Sequence, residues 1–180
     1  MPPGTRTGLR ILGLDPGSRA TGYGVIDLVG HKLVFVACGV VRPPAEAAFA
    51  ERLRRIHDGL VQVIAEHTPD EAAVEDVFVA ANPRSALKLG HARGVAMIAA
   101  MGRELAVHEY GPRQIKQAVV GYGLAGKEQM QRMVRLLLSL AALPSQDAAD
   151  ALAVAICHAH HGGRLPPART AGLACGRAAP

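Results

Sequence analysis

Residues 10–41 read RILGLDPGSRATGYGVIDLVGHKLVFVACGVV, and this stretch decides the fold of the chain. It contains three runs rich in Val, Ile and Leu, which predict strands over residues 10–14, 22–29 and 32–41. Asp15-Pro16-Gly17 and Val29-Gly30-His31 separate the runs and are typical of turns. Strands joined this tightly are expected to pair as an antiparallel meander.

Helices and strands alternate in the rest of the chain. Apolar residues recur at steps of three and four over residues 48–67, which indicates an amphipathic helix. We predict further strands over 72–79 and 106–110, and helices over 82–105, 112–120, 127–140 and 145–161. This order predicts an α/β protein whose five-stranded mixed sheet is flanked by helices, in one domain over residues 9–161. Residues 162–180 have no apolar period and are expected to form a disordered C-terminal tail.

Composition narrows the class of protein. Hydrophobic residues make up 49% of the chain but aromatic residues only 3%, so we expect a core of Ala, Val, Leu and Ile. No apolar run approaches the ~18 residues of a membrane span, and the start MPPGTRTGLR lacks the apolar segment of a secretory signal. We therefore interpret the protein as cytoplasmic. Cys38, Cys157 and Cys175 include no CxxC pair, which argues against a disulfide framework or a cysteine zinc site.

The net charge of +5 is unevenly distributed. Residues 81–140 contain nine Lys and Arg against three Asp and Glu, whereas residues 61–80 contain five acids and no Lys or Arg. A basic surface beside an acidic pocket suits a metal-dependent enzyme that acts on a polyanion. The same net charge is also ordinary for a soluble protein, and composition alone leaves both interpretations open.

Four carboxylates occupy positions from which they could meet. Asp15 ends the first apolar run, Glu75 lies inside the apolar stretch 72–79, and Asp147 and Asp150 lie three apart in the last predicted helix. A Glu in an apolar strand is costly to bury unless it is paired, protonated or bound to a metal. Mg²⁺ and Mn²⁺ prefer carboxylate oxygens, and two such ions can stabilise both oxygens of a phosphodiester displacement. The four acids therefore indicate a nuclease.

Each acid also has an ordinary interpretation. Asp-Pro-Gly is a common turn, a buried Arg could pair with Glu75, and acids in the first turn of a helix complement its dipole. The small residues Ala148, Ala149, Ala151 and Ala153 favour the metal interpretation, because they let the last helix lie close to the sheet.

The segment GYGLAGK, residues 121–127, imitates two nucleotide-binding motifs. A G-x-G-x-x-G motif should follow a strand, whereas a predicted helix precedes this one, and a P-loop needs Ser or Thr where Glu128 stands. We interpret the segment as flexible backbone that offers Lys127 to a phosphate backbone; Lys127 is otherwise a solvated residue at the start of its helix.

Histidines and one phenylalanine leave two further questions. His158, His160 and His161 suggest a metal, but imidazoles at the C-terminal end of a helix are favoured electrostatically, and we interpret them in that way. Phe78, just after Glu75, either packs in the core or is exposed to stack on bases or wedge between them.

Five segments together resemble one family: GLDPGSRATGYGV, VEDVF, NPRSALKLGHARGV, RQIKQAVVG and DAADALAVA. Their order and spacing resemble those of the bacterial RuvC-type Holliday junction resolvases over about residues 10–161, and the order of elements is that of the ribonuclease-H-like fold. The resemblance implies a homodimeric endonuclease that resolves four-way DNA junctions by paired symmetric nicks in recombination and repair. It also implies Mg²⁺, with Mn²⁺ as a substitute and two ions expected per active site.

The resemblance assigns roles to individual residues. By motif position, the catalytic and metal-binding carboxylates are Asp15, Glu75, Asp147 and Asp150. The implied DNA contacts are Phe78, Lys116 and Lys127, to which we add Arg84 and Lys88 from the basic segment. The helix after Asn82 resembles the dimer helix, and the family cooperates with a branch-migration complex of the RuvA and RuvB type. The glycines and Glu128 around Lys127 depart from the family pattern, which leaves the placement of that loop open.

Three other classes of protein compete with this interpretation. GLDPGS also resembles the first phosphate loop of actin-like phosphotransferases, but these need a second domain that 180 residues cannot hold. A catalytically silent junction-binding protein would not need four acids. A ribonuclease-H-like enzyme that processes RNA stays open, since the sequence reveals neither a reader of the 2′-hydroxyl nor its absence.

Overall fold

The computed structural model of the protein describes residues 8–76 and 82–162. In these residues the strands are β1 Leu9–Asp15, β2 Thr21–Val29, β3 Lys32–Val41, β4 Glu71–Glu75 and β5 Ala106–Tyr110. They form one sheet in the order β3-β2-β1-β4-β5. The meander β1-β2-β3 is antiparallel, while β4 is parallel to both β1 and β5. The predicted five-stranded mixed sheet is confirmed.

Helices cover both faces of the sheet. They are α1 Phe49–His67, α2 Pro83–Met101, α3 Pro112–Val120, α4 Lys127–Leu137 and α5 Gln146–Gly162. Helices α1 and α2 pack on one face, while α3, α4 and α5 pack on the other, so the core has two halves. Both halves are built mainly from Ala, Val, Leu and Ile, as the composition predicts. None of the helices in the described residues combines the length and apolarity needed to cross a membrane.

Helix α5 lies directly on the sheet because glycines replace side chains beneath it. A Cβ atom at Gly13 would lie 2.1 Å from the carbonyl oxygen of Ala151, and one at Gly22 would lie 2.0 Å from that of Asp147. Residues 151–158 of the helix are all buried. The predicted close approach of this helix to the sheet is therefore present, with alanines on the helix and glycines on the strands.

Three predicted boundaries are wrong. Strand β4 ends at Glu75, where its last pair is with Tyr110, so Glu75 lies at the end of the strand rather than inside it. Helix α2 ends at Met101 instead of residue 105, because a turn with Glu104 at φ 62° follows it. Helix α4 ends at Leu137, since Ser139 adopts φ 51°. Phe78 and the predicted tail from residue 163 onward lie outside the described residues.

Candidate active site

The carboxyl ends of two neighbouring parallel strands bring Asp15 and Glu75 together. Asp15 is the last residue of β1 and Glu75 the last of β4, and the preceding residues Leu14 and Val74 are paired in register. The residues two positions before Asp15 and Glu75 face α5. Side chains two residues apart on a strand lie on the same face, so both carboxylates also lie on the α5 side of the sheet. Asp150, in the second turn of α5, approaches from that side.

These three acids share one cavity of about 330 Å³. Its lining residues are Asp15, Glu75, Pro112, Ile115, Lys116, Lys127, Met130, Asp150 and Ala153. The three acids come from β1, β4 and α5, and the two lysines come from α3 and α4. All five of these charged residues are among the site residues that the sequence analysis proposes.

Asp147 differs from the other three acids because it does not line the cavity. Its Oδ2 atom lies 2.9 Å from Nη2 of Arg42, the residue that follows β3. Its charge still reaches the cavity, since it contributes to the raised pKa values of Asp15 and Asp150. Asp147 thus lies next to the acidic cavity, and its carboxylate is paired with Arg42 outside the cavity lining.

Burial and mutual repulsion raise the pKa values of the cavity acids. Desolvation, followed by the charges of Glu75 and Asp150, raises the pKa of Asp15 to about 8. Desolvation also raises the pKa values of Glu75 and Asp150, although Lys116 and Lys127 partly offset this. The interaction between the two carboxyl groups raises the pKa of Asp15 and lowers that of Glu75, so Asp15 is the acid of the pair that protonates more readily.

The cavity suits a hard divalent cation. Its acidic ligand atoms are all carboxylate oxygens, which Mg²⁺ and Mn²⁺ prefer. The pKa values of three acids in one half-buried space are raised despite the two lysines, and a cation there would relieve both the repulsion and the protonation. The residues present therefore fit the metal that the resemblance implies.

The predicted DNA contacts separate into two groups. Lys116 of α3 is half-buried and Lys127, the first residue of α4, is exposed, and both line the acidic cavity. Arg84 and Lys88 lie exposed on α2, away from the cavity lining, and the Lys88 ammonium is 5.9 Å from the centre of the Phe49 ring. Phe78, the remaining predicted contact, lies outside the described residues.

The interpretation of the three histidines at the end of α5 is wrong for one of them. His160 and His161 are exposed, whereas His158 is fully buried. His158 Nε2 lies 2.6 Å from Oε2 of Glu71, and its Nδ1 lies 2.8 Å from the Tyr110 hydroxyl. The sequence analysis missed this cluster of Glu71, Tyr110 and His158. One signal was present: Glu71 is four residues before Glu75, so both side chains lie on the face of β4 that α5 covers.

Comparison with known proteins agrees with this geometry. The family of crossover junction endodeoxyribonuclease RuvC matches residues 11–158 of the chain. A crossover junction endodeoxyribonuclease RuvC of Burkholderia thailandensis is 58% identical over 157 residues, which cover 87% of each chain. One of Syntrophotalea carbinolica is 56% identical over 152 residues, covering 84% of this chain and 94% of the relative.

Solved structures give the same result. The Thermus thermophilus RuvC in complex with a Holliday junction substrate superposes with a TM-score of 0.80 at 36% identity, covering 86% of this chain and 94% of that one. The yeast mitochondrial Holliday junction resolvase Ydc2 has a TM-score of 0.60 at 11% identity, which supports the fold alone. A ribonuclease-H-like sheet with an acidic cavity at the ends of its parallel strands defines the class as a nuclease. Within that class, the chain belongs to the RuvC family of crossover junction endodeoxyribonucleases.

Proposed function

We propose that the chain resolves four-way DNA junctions, in recombination and repair, by metal-dependent hydrolysis at the cavity of Asp15, Glu75 and Asp150. The observation that carries this proposal is the convergence of three carboxylates, Asp15, Glu75 and Asp150, in one cavity that two lysines also line. Family membership supports the junction as substrate, because the Thermus thermophilus relative is in complex with a Holliday junction. Asp147 is the fourth member of the proposed catalytic set.

The carboxylates have the task of holding metal near the scissile phosphate. Asp15, Glu75 and Asp150 would hold Mg²⁺, or Mn²⁺ in its place, with two ions expected; Asp147 would join them by leaving Arg42. When bound, the metal supplies an activated water and neutralises charge on the leaving oxygen. A protonated Asp15 cannot act as a ligand, so the raised pKa of Asp15 opposes metal binding at low pH.

The lysines have the task of holding the DNA backbone. Lys116 and Lys127 line the same cavity as the acids, where they would bind the phosphates on either side of the bond that is cut. The apolar side chains of Ile115 and Met130 form part of the same wall and restrict water there. Arg84 and Lys88 on α2 would extend this basic surface along a second arm of the junction. Phe78 is proposed as a base-contacting residue on family resemblance alone.

A homodimer would match the symmetry of the substrate. Helix α2 buries Ala92, Ala96, Ala99 and Ala100 against its own chain but leaves other apolar side chains more than half exposed, namely Leu87, Ile98 and Met101. Apart from the backbone of α2 itself, a Cβ atom at Gly90 or Gly94 would meet no atom of the described residues within 4 Å, so these positions form an open strip. Two copies of α2 could approach closely across that strip and place two cavities on opposed strands of one junction.

Family membership also supports a partner and a location. We propose that the chain cooperates with a branch-migration complex of the RuvA and RuvB type and acts in the cytoplasm, where the DNA substrate is. Cooperation is tested by measuring the cutting of a mobile junction with and without that complex, and we expect the complex to stimulate cutting. No effect of the complex on rate or on the choice of cut site would contradict it.

Cleavage of synthetic substrates tests the proposed function directly. A four-way DNA junction, a duplex of the same sequence and an RNA:DNA hybrid should be compared in Mg²⁺, in Mn²⁺ and in EDTA. We expect paired cuts in the junction alone, and none in EDTA. Faster cutting of the hybrid than of the junction would favour the RNA-processing class instead.

Four matched substitutions then test the assigned carboxylates. Each of Asp15→Asn, Glu75→Gln, Asp147→Asn and Asp150→Asn should lower the cutting rate by at least about 100-fold with junction affinity largely retained. Asp58→Asn, an exposed change on α1, is the control and should cut at the rate of the unaltered protein. A variant that keeps full activity removes its residue from the catalytic set.

A further inference from the structure

A second cluster of metal-ligating side chains lies at the other end of the same strand and helix. Its members are Glu71 at the start of β4, His108 in β5 and His158 near the end of α5. One ligand atom from each lies within 4.8 Å of the others, which holds for no other group of three or more such side chains in the described residues. We propose that these three residues form a zinc site distinct from the acidic cavity.

The ligand atoms already converge. Oε2 of Glu71 lies 2.6 Å from Nε2 of His158 and 3.5 Å from Nε2 of His108. The two imidazole rings are tilted by 31° with centres 4.3 Å apart, and both Nε2 atoms lie within 3.5 Å of the same carboxylate oxygen. Two imidazole nitrogens and one carboxylate oxygen, with a fourth position left for water, are a common ligand set for Zn²⁺. Oxygen-preferring Mg²⁺ would favour the acidic cavity instead.

One atom of the cluster has no hydrogen-bond partner among the described residues. His108 Nε2 is shielded from solvent and makes no hydrogen bond to any of them, although it belongs to a side chain that is 36% exposed. A buried polar atom without a partner destabilises a fold, so most such atoms in proteins are satisfied. His158 by itself needs no metal, because Glu71 and Tyr110 satisfy both of its nitrogens. The unsatisfied nitrogen of His108 is what distinguishes a metal site from an ordinary buried histidine.

The surroundings support a bound cation. A histidine that binds metal through Nε2 carries its proton on Nδ1, and the Tyr110 oxygen lies 2.8 Å from Nδ1 of His158 to accept it. Burial lowers the pKa of His158, which keeps its imidazole neutral and able to bind metal. Glu71 is 31% exposed while His158 is fully buried, so the site opens to solvent on one side only.

The proposed zinc site is connected to the acidic cavity by two rigid elements. Glu71 and Glu75 are four residues apart on β4, roughly 13 Å at the rise of a strand. Asp150 and His158 are eight residues apart on α5, roughly 12 Å at the rise of a helix. Zinc would therefore fasten β4 and β5 to α5 at one end, while Glu75 and Asp150 face each other at the other end. This inference does not depend on the proposed nuclease mechanism.

Cobalt provides a probe that separates the two sites. Four-coordinate Co²⁺ with imidazole ligands absorbs visible light far more strongly than six-coordinate Co²⁺ with oxygen ligands, so the spectrum identifies the occupied site. Co²⁺ should be titrated into the metal-free full-length protein and into the Asp15→Asn, Asp150→Asn double variant. We expect the same intense bands in both, displaced by one equivalent of Zn²⁺ per chain.

Substitutions in the cluster complete the test. His108→Ala and Glu71→Gln change partly exposed side chains and should each weaken Zn²⁺ binding at least about tenfold, with the folded circular dichroism spectrum retained. Zn²⁺ should raise the melting temperature of the double variant but not that of His108→Ala. His160→Ala, an exposed change on the same helix, should leave both the bands and the shift intact. Absence of intense bands, their persistence in His108→Ala, or their loss in His160→Ala would overturn the proposal.

Discussion

The carbonyl oxygen of Asp147 lies over Gly22, where a Cβ atom would be only 2.0 Å away. Gly22 is also the residue that pairs with Asp15 across β1 and β2. The absence of one side chain thus determines how closely the helix that carries Asp147 and Asp150 approaches the strand that carries Asp15. The acidic cavity depends on this packing as much as on the acids themselves.

We predict that Gly22→Ala disturbs both stability and catalysis. The added methyl group meets backbone rather than a movable side chain, so α5 has to shift away from the sheet. We expect the free energy of unfolding to fall by about 1–3 kcal/mol and the melting temperature by several degrees. Gly111→Ala is the matched control, because its Cβ would meet no atom closer than 3.5 Å. Equal melting temperatures and cutting rates for the two variants would contradict the prediction.

The raised pKa of Asp15 predicts a pH-dependent stability of the metal-free protein. Between pH 3.8, the ordinary pKa, and about 8, the folded state keeps a proton that the unfolded state loses. Stability is therefore greatest at low pH within this window and falls as pH rises towards 8. Asp15→Asn removes this dependence, so in EDTA the variant should melt several degrees above the unaltered protein at pH 8.5. The difference should shrink at pH 5, and a difference independent of pH would refute the explanation.

Strands and acids were predictable because their signals are local. Runs of Val, Ile and Leu marked β1, β2 and β3, and Asp15 was recognised because it ends such a run. The end of β4 was not predictable, since the apolar residues 77–79 continue its pattern while the pairing ends at Glu75 and Tyr110. Pairing with the neighbouring strand decides where β4 ends, and the sequence of β4 alone does not reveal that pairing.

Contacts between distant residues were the other part that the sequence did not reveal. His158 and Glu71 are 87 residues apart, and Arg42 and Asp147 are 105 apart. A histidine at the end of a helix has an adequate local explanation, so nothing in the sequence favoured a buried cluster. Asp147 was grouped with Asp150 on α5 from their spacing, but its ion pair with Arg42 required the position of β3.

The ion pair between Arg42 and Asp147 predicts a modest competition with metal. Both side chains are partly exposed, and such pairs contribute about 0.2–1 kcal/mol. Arg42→Gln should therefore lower the Mg²⁺ concentration needed for half-maximal cutting, by less than about fivefold. Arg54→Gln removes an exposed arginine that pairs with Glu51 on α1 and should leave that concentration unchanged. A higher Mg²⁺ requirement in Arg42→Gln would instead assign Arg42 a direct role in catalysis.

The two cavity lysines predict salt-dependent binding of the junction. Each phosphate contact that is lost should reduce the slope of log affinity against log salt by about one. We expect Lys116→Ala and Lys127→Ala to show this shallower slope together with weaker binding. Lys32→Ala, an exposed change on β3 away from the cavity, should keep the original slope. Binding that does not respond to salt would contradict the electrostatic explanation.

The open strip on α2 predicts a dimer that one substitution separates. Gly94→Arg places a bulky charge where, apart from the backbone of α2, no atom of the described residues lies within 4 Å of the Cβ position, so the monomer should fold normally. We expect sedimentation to show a dimer for the unaltered protein and a monomer for the variant, which should nick junctions singly. Arg103→Glu, an exposed charge change just beyond α2, is the control. Paired cutting by a monomeric protein would exclude the dimer mechanism.

Helix α5 is the last element of the described fold, and this has a consequence for a chain still on the ribosome. Strands β1 to β5 leave the ribosome before α5, which supplies Asp150 and covers one face of the sheet with residues such as Leu152 and Ile156. Until then the nascent chain has an uncovered apolar face and only two of the three acids that line the cavity. Domains fold as units during synthesis. Helix α5 completes both the hydrophobic core and the acidic cavity. The nascent chain therefore cannot cut DNA before its core has formed.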